Sequence, residues 1–208
     1  LSKHLKLTKA TISAIVQDLL LQNLILEIGS AKTSLGRKPI LLEFNQQYGY
    51  ALAIDVRPRQ ILALISDLKG ENCHVHKYPF LPEEQLLPLL TRIVQEMLKE
   101  YEQENRKILG ISVGIYGVVR KNQILFTPYY PLPDPNLGSM LEETFGIPVL
   151  VENEANLSVL GESAFHYDCR NMIHINVHDG IGMGILINGH LYKGKDGYAG
   201  EFGHTILF

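Results

Sequence analysis

Glycine crowds the C-terminal stretch 178–204, at positions 180, 182, 184, 189, 194, 197, 200 and 203. At that density the backbone either comes close to a ligand or turns repeatedly without a Cβ clash. The glycines fall among two short β-type runs, 173–177 and 185–187. The stretch ends by setting an acid and an imidazole, Glu201 and His204, three residues apart. Two such groups after a tight glycine turn suit the hydroxyls of a small polar ligand. The plainer alternative is a set of hairpin turns and one surface histidine.

The 208 residues suffice for one large domain, or for a small one followed by a medium one. Hydrophobic content of 46% supports a real core, and no apolar run is long enough to span a bilayer. The start, Leu1-Ser-Lys-His4, is already periodic and carries no signal-peptide pattern. The cysteines, Cys73 and Cys169, form no motif and fit free thiols in a reduced cytoplasmic protein. The net charge of −3 hides an asymmetry: residues 1–44 carry +3 and the remainder −6. A basic head on an acidic body points to nucleic acid at one end only.

Within the head, residues 2–6 read as the end of a helix, and Thr8 is a good N-cap for the next one. Ile12, Ile15, Val16, Leu19 and Leu20 then recur at helical spacing. The first turns carry Lys9, Ala10, Thr11 and Ser13. A short helix, a tight turn and an amphipathic helix opening on small polar residues predict a helix-turn-helix, with those four residues facing base edges in the major groove. Any two-helix hairpin is the plainer alternative. Runs 24–28 and 40–44 read as strands around a polar turn, which completes a winged helix-turn-helix over residues 1–45. The wing holds Gly36-Arg37-Lys38-Pro39, and an Arg in such an extended segment suits a narrow A·T-rich minor groove.

The body, 46–208, alternates strands and helices: strands at 48–56, 60–67 and 72–78, a helix at 86–104, a strand at 108–115, a stiff Pro-Tyr loop at 128–135, a strand at 147–151, a helix at 152–166 and the glycine-rich strands. That order predicts an α/β domain.

The glycine-rich wording, with Asn188-Gly-His-Leu-Tyr-Lys-Gly194 and Ala199-Gly-Glu-Phe-Gly-His204, resembles the ROK family of sugar kinases and sugar-responsive repressors. Gly36-Arg-Lys-Pro39 is similar to the wing of its repressors, and with Asn153-Glu154 it looks most like their xylose-repressor branch. The resemblance implies a ribonuclease-H-like (actin-like ATPase and sugar kinase) fold for the body. It also implies one more head helix before Ser2.

For function, the resemblance implies a repressor that binds operator DNA and a monosaccharide effector as a homodimer or dimer of dimers, with no membrane partner and no catalytic residue. Sugar contacts would be Asn153, Glu154, Glu201 and His204. His204 would also ligate a structural zinc, with cysteines of a Cys-x-Cys-Gly-x-x-Gly-Cys run beyond Phe208 as the other ligands. Tyr129 or Tyr130 would stack on the sugar. The rival is an ATP-dependent, glucokinase-like ROK sugar kinase with an N-terminal extension. Two departures from the kinase pattern argue against it. Arg57-Pro58-Arg59 stands where glycines would cradle phosphate, and Pro58 has no N–H. Glu154 stands where kinases place an Asp base, one methylene shorter.

Overall fold

The computed structural model describes residues 2–30, 40–81, 83–103, 107–131, 134–178 and 180–204. The chain divides into two compact units, Leu1–Gly49 and Tyr50–Phe208. The division falls four residues beyond the expected end of the head. Asn45 explains the difference: it bonds back to Asn23 and Leu24, and its side chain caps a single 3-10 turn, Gln46–Tyr48.

The first unit holds helix α1 (Ser2–Leu5), helix α2 (Lys9–Leu21) and strands β1 (Ile25–Ser30) and β2 (Ile40–Phe44). Thr8 caps α2, accepting from the N–H of Thr11 at 3.2 Å. α2 stops where Asn23 enters the left-handed region at φ 57°, a conformation Asn tolerates. β1 and β2 pair antiparallel with a bulge between Glu27 and Gly29. The apolar stripe of α2 is only half-buried at Ile12, Val16, Leu19 and Leu20, and Ile15 is exposed.

The second unit is a mixed α/β body. β3 (Tyr50–Val56), β4 (Gln60–Asp67) and β5 (His74–Pro79) form an antiparallel meander. Helix α3 (Leu86–Gln103) follows, then β6 (Ile108–Ile115), the hairpin β7 (Val118–Arg120) and β8 (Gln123–Phe126), helix α4 (Leu137–Phe145), β9 (Val149–Asn153) and helix α5 (Glu154–Phe165). β6 joins β3 in parallel and β9 joins β6 in parallel, giving the order β5-β4-β3-β6-β9. The main core forms where Leu90, Ile93, Val94 and Met97 of α3 and Leu137 and Leu141 of α4 cover Leu52, Ile54, Ile61, Val113 and Val151.

A second sheet, β10 (Met172–Val177), β11 (Ile181–Ile187) and β12 (His190–Leu191), packs on α5. Here the structure corrects one expectation and adds one finding. Residues 181–184 belong to β11 and are not turns between short runs. Glycine is needed there for close approach: a Cβ on Gly184 would stand 2.2 Å from the carbonyl oxygen of Ala155. The alternation of β10 is also inverted relative to a simple hydrophobic strand. His174 and Asn176 turn inward, whereas Ile173, Ile175 and Val177 are exposed. Among the described residues no helix is long and apolar enough to cross a membrane.

Candidate functional site

A pocket of about 120 Å³ opens where the ends of β6 and β9 meet the glycine-rich strand. Asn153 and Glu154 enter it from the β9–α5 junction, Glu201 from the segment after β12, and Tyr116 and Tyr129 from the loops beyond β6 and β8. Gly180, Gly182, Gly200 and Gly203 line the facing wall. Glycine there is a steric requirement. A Cβ on Gly200, whose φ is +93°, would lie 1.9 Å from the carbonyl oxygen of Met183, and one on Gly203 would lie 2.4 Å from that of Ile181.

Asn153 and Glu154, read from sequence as lying inside one helix, are split between elements. β9 runs to Asn153, which is the N-cap of α5. Its Oδ1 accepts from the N–H of Asn156 at 3.1 Å, and its Nδ2 donates to the carbonyl of Gly117 at 2.8 Å. The cap satisfies one of the orphan N–H groups of the helix and fixes the side chain at the pocket edge. Any ligand hydroxyl therefore meets an already oriented amide.

Glu154 is the first residue of α5. Its Oε2 accepts from Nδ2 of Asn176 at 2.9 Å, and that amide group also donates to Oγ of Ser158 at 2.8 Å. His174 Nε2 lies 2.5 Å from Oδ1 of Asn176. Burial pushes the Glu154 carboxyl above its ordinary value, the bond from Asn176 acts to lower it, and the Asp55 and Glu201 charges raise it further. Glu154 also borders a larger, more apolar groove between β3, β4 and α5.

The two loop tyrosines separate. Tyr129 lines the pocket with its ring edge-on to Tyr116, centroids 6.1 Å apart. Tyr130 turns into the core against Phe80, which removes it as a stacking partner for a ligand. At the β3–β4 turn Nε of Arg57 lies 2.6 Å from Oδ2 of Asp55. The acid of this hairpin is thus already paired within it.

Lys9, Ala10, Thr11 and Ser13 are exposed on the opening turns of α2. Arg37 and Lys38 lie outside the described residues. His204 closes a short 3-10 turn, Phe202–His204, and its side chain is not among those described. Among the described residues no group of three His, Cys, Asp or Glu side chains is placed to hold a metal, and the His204 side chain is not among them.

Sequence reading missed three contributors. Asn176 orients Glu154 but sits in a run without a motif. Asn122, in the β7–β8 turn, donates to the carbonyl of Val149 and accepts from the N–H of Val151. Glu152 is 4% exposed and forms an ion pair with Lys193, 41 residues later in the chain. Lys121 and Asn122, both at positive φ, form the two-residue turn of this hairpin without the glycine that would have marked it in the sequence.

A model of the ROK family matches residues 51–208. The chain is 37% identical over 213 residues to the xylose repressor of Bacillus spizizenii, an alignment covering 100% of this chain and 55% of that protein. Among solved structures it is similar to a ROK family transcriptional regulator, a homolog of the E. coli MLC protein. The TM-score is 0.80 at 26% identity, over 98% of this chain and 53% of that one. It is also similar to a ROK family glucokinase from Streptomyces griseus in complex with glucose and AMPPNP. There the TM-score is 0.66 at 26% identity, over 77% of this chain and 51% of that one. The chain spans about half the length of the curated relatives it matches. With the family pattern running from residue 51 to residue 208 and relatives aligned along its whole length, the chain belongs to the ROK family.

Proposed function

We propose that this chain is part of a sugar-responsive transcriptional repressor. Residues 1–45 act as a winged helix-turn-helix that binds operator DNA through Lys9, Ala10, Thr11, Ser13, Arg37 and Lys38. The body, read as ribonuclease-H-like, binds a monosaccharide through Asn153, Glu154, Glu201 and His204. The observation that carries the reading is the small, glycine-walled pocket at the β9–α5 junction, which gathers Asn153, Glu154 and Glu201, while the acid of the β3–β4 hairpin is already paired with Arg57. Repressor relatives along the whole chain support it, and the strand order, an antiparallel meander extended by two parallel strands, supports the fold.

The name of the aligned relatives makes xylose the first effector to try. Two copies related by a two-fold axis would read a palindromic operator. Effector binding would shift the population between DNA-competent and DNA-incompetent arrangements. We also infer that His204 is one ligand of a structural zinc.

The test is calorimetry of the full-length protein with a panel of monosaccharides, followed by operator binding with and without the sugar that binds. Expected is saturable binding of one sugar and a change in operator affinity when it is present. Binding of none, or ATP-dependent phosphorylation of any, would overturn the proposal, and phosphorylation would favour the kinase alternative. That alternative draws on the structural likeness to a glucokinase.

A further inference from the structure

Two residues that do not line the pocket hold both of its walls. Glu152 lies one position before the end of β9, and its carboxylate is withdrawn from water. Its Oε1 accepts from the N–H of Asn153 at 3.0 Å and from Nδ2 of Asn156 at 3.1 Å. Those are the two residues that the α5 cap joins, so the helix start that presents Asn153 and Glu154 is built around this carboxylate. Its Oε2 pairs with Nζ of Lys193, just past β12.

Lys193 belongs to the opposite wall. Its carbonyl accepts from the N–H of Ala199 at 3.2 Å, which closes the loop 193–199. The chain then runs through Gly200 and Glu201, where Glu201 N–H donates to the carbonyl of Tyr198 at 3.3 Å. Along the loop Asp196 meets Arg120 only at the surface, 3.4 Å away with both side chains about half exposed. An exposed pair of that kind fixes little. A buried carboxylate with one cationic partner fixes far more, because removing the partner leaves an uncompensated charge that draws in water.

We propose that the Glu152–Lys193 ion pair positions the ligand site: it sets the separation between the Asn153–Glu154 wall and the Glu201 loop, so effector affinity depends on two side chains that do not line the pocket. The inference rests on the pocket being the monosaccharide site. Glu152 and Lys193 are positioning residues, acting through Asn153, Asn156 and the 193–201 backbone.

The test uses full-length protein carrying Lys193→Met, Glu152→Gln or Lys193→Arg. Two quantities are read well below each variant's melting temperature: amide hydrogen exchange at 194–203 without sugar, and calorimetric affinity for the sugar that the wild type binds. Lys193→Met and Glu152→Gln should speed exchange in that loop relative to β6 and weaken binding about tenfold, within the coupling range of contacting residues. Lys193→Arg should restore both. If Lys193→Met does not fold, Glu152→Gln carries the test, since it removes the buried charge at constant shape. Unchanged loop exchange in the variants overturns the proposal whether or not any sugar binds. Faster exchange with undiminished affinity overturns the positioning role and leaves a purely structural pair. A wild type that binds no monosaccharide overturns the site reading, and the positioning role with it, while the exchange data still decide whether the pair holds the loop.

Discussion

Arg57 and Asp55, two residues apart where β3 enters the β3–β4 turn, form an ion pair with Nε 2.6 Å from Oδ2. The turn also carries Pro58, so one backbone N–H that would face a phosphate is missing, and a guanidinium occupies the acid that remains. Backbone N–H groups at a tight turn are the usual cradle for phosphate, and here Pro58 supplies none while the Arg57 N–H is taken by the Gln60 carbonyl. The expected outcome is no ATP-dependent sugar phosphorylation by the full-length protein. A radiometric assay checks this. Turnover above a no-enzyme control that disappears in Glu154→Gln would refute it.

Glycines around α5 should respond to alanine in opposite directions. Gly184 faces the Ala155 carbonyl and Val159, with 2.2 Å left for a Cβ at the nearest atom. Gly184→Ala must push β11 off the helix and should cost about 1–3 kcal/mol or more. Gly161 lies inside α5 with no atom within 4 Å of an added Cβ. Gly161→Ala should stabilise by roughly 0.5–1 kcal/mol through helix propensity. Urea unfolding of both variants, with unchanged m-values, separates the two effects.

Periodicity served where one element's side chains decide its own state. The Thr8 cap, the stripe of α3 and the strands β4 and β6 were legible because burial follows sequence spacing there. The hairpin β7–β8 was not, since Lys121-Asn122 makes its turn without glycine. Helix α4 is short and follows a proline-rich loop, and its N-cap Asn136 makes no side-chain cap bond, so its start was masked by the loop before it. The glycines of β11 were read as turns because their cause lies elsewhere in the chain, in the backbone of α5. In the site, Asn153, Glu154 and Glu201 were nameable from the family pattern, and the structure gathers them at one pocket. Their supports, Asn176 and the Glu152–Lys193 pair, arise from long-range contacts that no local pattern encodes.

The raised Glu154 carboxyl has a consequence for stability. Burial is the main cause, helped by the Asp55 and Glu201 charges and opposed by Asn176 and His178. A group whose folded pKa lies above its unfolded value binds protons more tightly when folded. Its stabilising contribution is complete below the ordinary value of 4.5 and is lost as pH rises through the folded value. Glu154→Gln should therefore melt higher than the wild type at neutral pH, with the difference shrinking as pH falls toward 4.5. Melting curves across that range check it; a Gln variant less stable at neutral pH than at acid pH, relative to wild type, would contradict the assignment.

The last expectation separates the two units. Lys9, Thr11 and Ser13 stand exposed on the opening turns of α2, the part of such a helix that reaches base edges. Glu201 lines a pocket in the other unit. If the head reads DNA and the body reads sugar, single substitutions should divide cleanly. Thr11→Ala should relax sequence preference, and Lys9→Ala should weaken all sequences and lower the salt dependence of binding by about one phosphate contact. Arg37→Ala should weaken operator binding and remove its A·T preference, as loss of a minor-groove arginine does. None of the three should change sugar affinity of the free protein. Glu201→Ala should do the reverse: it removes a polar partner from a ligand hydroxyl, at about 1–3 kcal/mol, and should leave sugar-free operator binding intact. Fluorescence anisotropy with labelled operator at several salt concentrations, paired with calorimetry, measures all four. A head substitution that altered sugar affinity in the absence of DNA would mean that the two sites are not separable in this way.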